Sequence, residues 1–276
     1  MTSEWHEAPL RELVGYISKG IAPSYAEEAS ETTIRVLNQK CNRNFRISYG
    51  DSRLHDTLKK KVPPERYVKP DDILINSTGA GTAGRIAQIE DVPSATTIDG
   101  HMILIRSNGK VTQKFLGYAL KAHQWEVLQL DEGSTGQTEL NRDRLLDEIM
   151  INYPVSFDEQ NAIVGTLESI DRKLIVNEQL NDNLLEQASS IYQAWFEDFI
   201  LSDGSCPPSW KQGTLAGIAD ITSGKRPPVK SAEKTDNAII PIVGAASVMG
   251  YTTEANHTDK ILVTGRVGTH LSLIHI

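Results

Sequence analysis

The stretch SFDEQNAIVGTLESIDRKLIVNEQLNDNLLEQASSIYQAWFEDF, residues 156–199, decides how the rest of the chain is organised. Its Ile163, Leu167, Ile170, Leu174, Asn177, Asn181, Leu184, Ala188, Ile191 and Trp195 follow one another at alternating spacings of four and three, which is a heptad seam. Glu168, Asp171, Arg172, Lys173, Glu178, Asp182 and Glu186 stand between them and no proline interrupts, so the pattern predicts an amphipathic helix rather than a strand. Ser156-Phe157-Asp158-Glu159, shortly after Pro154, has the form of a capping box at the helix start. At about 1.5 Å per residue such a helix runs roughly 60 Å, longer than one small domain needs. The seam therefore predicts packing along a second helix, as a coiled coil. Asn177 and Asn181 in mid-seam favour a pairing of defined register, because buried amides cost stability unless they meet. A long amphipathic helix lying on a globular core is the alternative.

With 276 residues, 39% hydrophobic and 23% charged, the chain has room for two domains with sizeable cores. Met1-Thr2-Ser3-Glu4-Trp5-His6 has neither a basic n-region nor an apolar h-region, and no stretch predicts a membrane span, so the expected location is the cytoplasm. Cys41 and Cys206 stand alone, as free thiols of a reducing compartment do. The formal net charge of −8 argues at first against a nucleic-acid partner. Its distribution changes that judgement. Residues 1–154 hold 19 Lys+Arg against 21 Asp+Glu, residues 207–276 hold 7 against 5, and residues 155–206 hold 2 against 10. The excess sits on the long helix, and a nearly neutral flanking domain can still present a basic face.

Residues 1–155 read as one domain of mixed helix and strand. A first element from Trp5 to Ile17 carries Leu10, Leu13 and Val14, and Gly20-Ile21-Ala22-Pro23 ends it as a turn. Thr32 to Val36 is β-branched and predicts a strand. Arg43, Arg46 and Arg53, with Phe45 and Tyr49 interleaved, then Lys59, Lys60 and Lys61, form a basic segment suited to phosphate contacts or to a solvated loop.

Asp72-Ile73-Leu74-Ile75-Asn76 predicts a buried strand running into Gly79-Ala80-Gly81-Thr82-Ala83-Gly84. As letters the glycines match the dinucleotide fingerprint, and Asp99 lies near the distance expected of a ribose contact. The context speaks against it: Arg85-Ile86-Ala87-Gln88-Ile89 alternates like a second strand, leaving no helix N-terminus to receive a pyrophosphate. The glycines are expected to be a turn, with Arg85 beside it. Ile98 and Met102 to Ile105 predict further strands, Phe115 to Leu130 a helix, Gly133 to Gly136 a polar turn, and Asn141 the start of another helix.

An internal repeat divides the chain. Trp5-x4-Leu10-x2-Leu13 recurs as Trp210-x4-Leu215-x2-Ile218, and Gly20-x2-Pro23 recurs as Gly224-x2-Pro227. Asp72-Ile73-Leu74-Ile75 with Gly81-Thr82 is echoed by Lys260-Ile261-Leu262-Val263 with Gly268-Thr269. Shared anchors in one order predict two similar domains on either side of the helix.

These anchors, with Ser134-Thr135-Gly136, with Pro154-x4-Glu159-Gln160-x2-Ile163-Val164-x2-Leu167-x2-Ile170-Asp171, and with Asn177 and the closing Trp195-Phe196-x-Asp198-Phe199, give the chain a resemblance to a known family. It resembles the DNA-specificity subunits of type I restriction-modification systems over nearly its whole length. The resemblance implies two target-recognition domains, each reading half of a split site in double-stranded DNA, held apart by an antiparallel pair of long helices. It implies methyltransferase (modification) subunits docked on those helices, a restriction subunit as a further partner, and no cofactor. The chain departs from the pattern in having under half of the second domain and no second long helix.

The expected fold is therefore α+β: a mixed α/β target-recognition domain over 1–155, a coiled-coil spacer helix over 156–203, and an incomplete second recognition domain over 207–276. The missing helix predicts pairing with another copy, or with a related half-subunit, through Ile163, Leu167, Ile170, Leu174, Asn177, Asn181, Leu184, Ile191 and Trp195. Arg43, Arg46, Arg53, Lys59, Lys60, Lys61 and Arg85 are the candidate DNA contacts. No methyltransferase loop, G-x-S-x-G, His-Glu-x2-His or phosphate-loop lysine occurs, and the seven histidines lie scattered without partners at metal-ligand spacing. That pattern favours a DNA reader over two alternatives, an enzyme with an unrecognised site in residues 1–154 and a scaffold using the coiled coil alone.

Overall fold

The computed structural model describes residues 4–79, 81–132, 139–225, 227–228, 230–244, 248–257, 261–264 and 273–275. The expected turn over 133–136 and, in the repeat, Lys260, Gly268 and Thr269 lie outside the described residues. The chain divides into two compact units, Met1–Ser189 and Ser190–Ile276. Among the described residues no helix is long and apolar enough to cross a membrane.

The first unit runs β1 (Trp5–Pro9), β2 (Val14–Lys19), β3 (Tyr25–Ala26), β4 (Thr33–Leu37), β5 (Asn42–Arg43), β6 (Arg46–Ile47), β7 (Arg53–Asp56), β8 (Ile73–Asn76), β9 (Ile86–Gln88), β10 (Thr96–Ile98) and β11 (Met102–Ser107). Then come α1 (Gln113–Ala122), α2 (Gln124–Val127), β12 (Asp131–Glu132), β13 (Glu139–Leu140), α3 (Arg142–Glu148), β14 (Met150–Pro154) and the long helix α4 (Phe157–Tyr192). The fold is thus mixed α/β followed by one long helix, as the sequence predicts.

An antiparallel sheet of order β2-β11-β8-β9 forms the centre. Strand β8 is buried throughout because both faces of the sheet are covered, which explains its unbroken apolar run. Ile73, Ile75, Ile103 and Ile105 share one core with Leu116, Leu120, Leu145 and Leu146 of the helices. Leu74, Met102 and Leu104 point the other way and join Leu37 and Ile98 of a second sheet, order β10-β4-β7-β3. Alternation along single strands therefore builds both cores. Asp72, at the head of β8, takes two bonds of 2.7 Å from the Arg106 guanidinium, and Arg106 also donates to the Glu65 and Tyr67 carbonyls, so this buried charge is fully paired.

Three details differ from the sequence reading. Trp5 to Ile17 is not one element: β1 ends at Pro9, a single turn over Leu10–Glu12 follows, and β2 starts at Val14. Strand β1 pairs antiparallel with β14, Trp5 against Pro154, so the domain is closed by joining its two ends. The helix expected from Phe115 to Leu130 is broken at His123, whose backbone leaves helical geometry at φ −91° and ψ 14°, and beyond it the Gln124 side chain accepts from the Ile86 amide at 2.8 Å and donates to the Gly84 carbonyl at 2.7 Å.

In the second unit β15 (Ile240–Val243) pairs with β16 (Val248–Thr252), and β17 (Leu262–Thr264) with β18 (Leu273–His275). Phe196 stacks on Trp210 at 5.8 Å between ring centroids, and Tyr192 lies 5.1 Å from Phe196. The repeat anchors behave differently in the two copies. Leu10 and Leu13 are 0% exposed, whereas Leu215 and Ile218 are 62% and 85% exposed.

Candidate nucleic-acid interface and helix surfaces

The basic residues singled out from sequence fall on two groups of elements. In the first, β5 and β6 form a hairpin whose two turn residues, Asn44 and Phe45, both take left-handed backbone at φ 52° and 61°. Two positive φ values fit a twisted two-residue hairpin. Asparagine accepts that conformation readily, but for phenylalanine it costs about 1–3 kcal/mol. The turn leaves Arg43 exposed and aims Arg46 at the long helix, where its guanidinium bonds Glu178 at 2.6 Å. Arg85 lies next to this hairpin, since the Asn42 amide donates to its carbonyl at 2.8 Å, and its own guanidinium returns to the Gly81 carbonyl at 3.2 Å. Gly79, Gly81 and Gly84 all have positive φ and join β8 to antiparallel β9, so the glycines make a hairpin connection and no dinucleotide site. Asp99, far from any ribose role, is buried and accepts from the His101 amide at 2.9 Å.

The second group surrounds β3 and β7. The Arg53 guanidinium lies 3.4 Å from the Tyr25 ring centroid, Lys59 pairs loosely with Asp56 at 3.8 Å, Lys60 donates to the Ala22 carbonyl at 2.8 Å, and Lys61 is exposed. Buried His55 holds this turn in place, an arrangement without any signal in the sequence. The Ser24 amide can only donate, so His55 Nδ1 accepts it at 2.9 Å and Nε2 carries the hydrogen toward the Lys60 carbonyl at 2.8 Å. The lysine row thus projects from a fixed backbone.

Helix α4 meets the domain along a stripe one residue past the seam, at Val164, Glu168, Asp171, Ile175 and Glu178. Gln160 opens it, fully buried, accepting from the Thr112 amide at 2.8 Å and donating to the Pro154 carbonyl at 2.9 Å. Val164 inserts into the core. From there the attachment is ionic. Lys114 bonds Glu168 at 2.6 Å, Lys121 and the Tyr118 hydroxyl bond Asp171 at 2.8 and 2.9 Å, and Arg46 bonds Glu178. The Glu168 bond raises the Lys114 ammonium above its usual range. Burial, then the bond to Asp171, pushes the Tyr118 phenol up. Burial alone would raise Asp171, but the bonds from Lys121 and Tyr118 outweigh it and hold the carboxyl low. A cleft of about 480 Å³ opens between these groups, with Phe45, Tyr118, Leu174 and Ile175 in its walls. In the sequence this stripe resembles a solvated face, because its partners lie more than fifty residues away in most cases.

The seam itself is open. Ile163 and Leu167 are half-buried at the helix base, while Ile170, Leu174, Asn177, Asn181, Leu184, Ile191 and Trp195 are exposed. Trp195 lies in a π-helical turn, Gln193–Glu197, that follows α4. One face of the helix therefore carries the domain and the neighbouring face is uncovered.

A family model described as type I restriction modification DNA specificity domain matches residues 2–186. No curated protein matches the chain. Among solved structures, the chain is similar to a type I restriction-modification system S subunit from M. genitalium, at 20% identity and a TM-score of 0.52, covering 96% of this chain and 67% of that one. It is also similar to a chain in a structure described by complex assembly and conformational transition of the type I R-M system, at 17% identity and TM-score 0.49, covering 69% and 44%. An HsdS subunit from Thermoanaerobacter tengcongensis follows at 16% and 0.43, covering 64% and 39%. The first of these supports a shared fold. The chain spans two thirds of the first protein and under half of the others.

Proposed function

Because the chain belongs to the type I restriction modification DNA specificity domain family, we propose that residues 1–155 read one half of a split site in double-stranded DNA and that α4 is the spacer fixing the distance to the other half. The role is recognition, not catalysis. The chain would direct methyltransferase subunits and a restriction subunit to that site, in the cytoplasm, with residues 207–276 as part of a second recognition domain. The observation that carries this reading is a domain closed on itself by β1 and β14 that hands directly to a helix of 36 residues, about 54 Å, with an uncovered apolar seam.

Arg43, Arg53, Lys59, Lys60, Lys61 and Arg85 supply phosphate contacts, which position the domain while other side chains read base edges. Arg46 is engaged by Glu178 and stands apart from them. The seam takes a second copy of this chain, or a related half-subunit, antiparallel about a twofold axis near Gln179, so that Leu174 meets Leu184, Asn177 meets Asn181 and Ile170 meets Ala188. Two copies would read a palindromic split site. The test is the methylome of the host strain with and without the gene. Loss of methylation at one recurring split sequence is expected, and an unchanged methylome would refute the reading.

A further inference from the structure

Resting on the antiparallel pairing just described, we propose that Arg46 is a pairing determinant: the recognition domain supplies, at the twofold axis, the counter-charge without which its own spacer helix repels a second copy. Glu178 follows seam residue Asn177 directly and lies one residue from the centre of the seam. Reversing a helix against its copy sets each flanking position against the same flank of the other helix. Glu178 of one copy therefore stands beside Glu178 of the other. Two bare carboxylates there would oppose association. Each is met instead by an Arg46 guanidinium at 2.6 Å. The helix segment is strongly acidic, 2 basic residues against 10 acidic over 155–206. Three of those acids, Glu168, Asp171 and Glu178, are paired by Lys114, Lys121 and Arg46 of the domain.

The hairpin geometry is consistent with a task of this kind. Arg46 is the residue immediately after the Asn44-Phe45 turn, and that turn holds a phenylalanine in left-handed backbone, so strain is accepted where the side chain leaves the domain for the helix. Symmetry adds a second consequence. A twofold axis normal to the plane of the two helices keeps each domain-bearing stripe on its own side. Both recognition domains then lie on one side of the pair, as reading a single duplex requires, and the two Arg46–Glu178 pairs lie together at its midpoint.

The test is sedimentation of the full chain as wild type, Arg46→Ala, Glu178→Gln and the double variant, with thermal melts to establish that each is folded. Arg46→Ala is expected to weaken the dimer by about tenfold at low salt. Raising the salt should recover most of that loss by screening. Glu178→Gln should pair at least as well as wild type and make Arg46→Ala harmless. A wild-type dimer that Arg46→Ala leaves unchanged, or weakens equally in the Glu178→Gln background, overturns this inference alone. A wild-type chain that stays monomeric at tens of micromolar overturns the homodimer, and this inference with it.

Discussion

Replacing Leu174 and Leu184 together with alanine is the most direct perturbation of the proposed helix pairing. In the helix they are 52% and 51% exposed, so about half of each side chain remains to be buried by a partner. A fully buried leucine is worth about 1.5–3 kcal/mol, and the unburied half therefore about 1 kcal/mol. A symmetric pair contains four such side chains, and their loss removes about 4 kcal/mol, close to a thousandfold in the dimer constant. Aspartate at both positions adds desolvated charge and should leave only monomer. Neither leucine belongs to a core of residues 1–155, so the melting of that domain should not change. Sedimentation equilibrium measures the dimer constant, and binding to a two-half DNA site measures the consequence. A double-alanine variant that dimerises like wild type would place the association elsewhere, and one that melts earlier would show the two leucines serving the domain itself.

Gly20 and its repeat counterpart Gly224 separate by substitution. A Cβ on Gly20 would lie 2.1 Å from the Asp99 carbonyl oxygen and 2.2 Å from that of Ile98, so Gly20→Ala should destabilise the domain by several kcal/mol, roughly the upper range of single changes, whereas Gly224→Ala meets nothing within 4 Å and should leave thermal melts unaltered. Lys59, Lys60 and Lys61 changed together to alanine should flatten the salt dependence of DNA binding by up to about 0.9 log unit for each phosphate no longer neutralised, and an unchanged slope removes the segment from the interface. Asp171 has a folded-state pKa below its unfolded one, so its stabilisation is fully present above the ordinary aspartate range, near ~4, and is lost as pH falls through the folded value. Wild type should therefore melt higher than Asp171→Asn at neutral pH, with the difference shrinking in acid; a difference that grows in acid would reverse the assigned sign.

What the sequence discloses depends on how local the determining contacts are. Strand β8 and the glycine hairpin to β9 are legible because an apolar run, three glycines and an alternating run sit within twenty residues. Helix α4 is legible because its period is written in its own residues. The pairing of β1 with β14 is not, since Trp5 and Pro154 are neighbours only once the whole domain has formed. The break at His123 escapes for a similar reason: Gln124 reads as an ordinary helix former, and the contacts its side chain makes with Gly84 and Ile86 lie some forty residues back in the chain. Arg46 groups with the other cations in the sequence because clustering along the chain cannot reveal an acid on α4 that meets it. The second stripe of the helix is hidden likewise, although Glu168, Asp171 and Glu178 share the seam's own spacing.

The repeat adds a physical condition to that contrast. Leu10 and Leu13 lie in the same core as Ile73, Ile103, Leu145 and Ile151, which are contributed by strands and a helix spread over the following 140 residues or so. An anchor of this kind gains burial only when those distant elements are present. Residues 207–276 repeat the anchor but contribute, among the described residues, two hairpins, and Leu215 and Ile218 remain largely in contact with solvent. Burying them to the depth of Leu10 and Leu13 would be worth about 3 kcal/mol or more for the two together. The second unit thus repeats the anchor of the first without the burial that stabilises it there, and the exposed anchors and the exposed helix seam are two separate apolar surfaces. The seam asks for one reversed helix. In the first unit the equivalent anchors are covered by a sheet and its helices, a kind of cover different from a second α4.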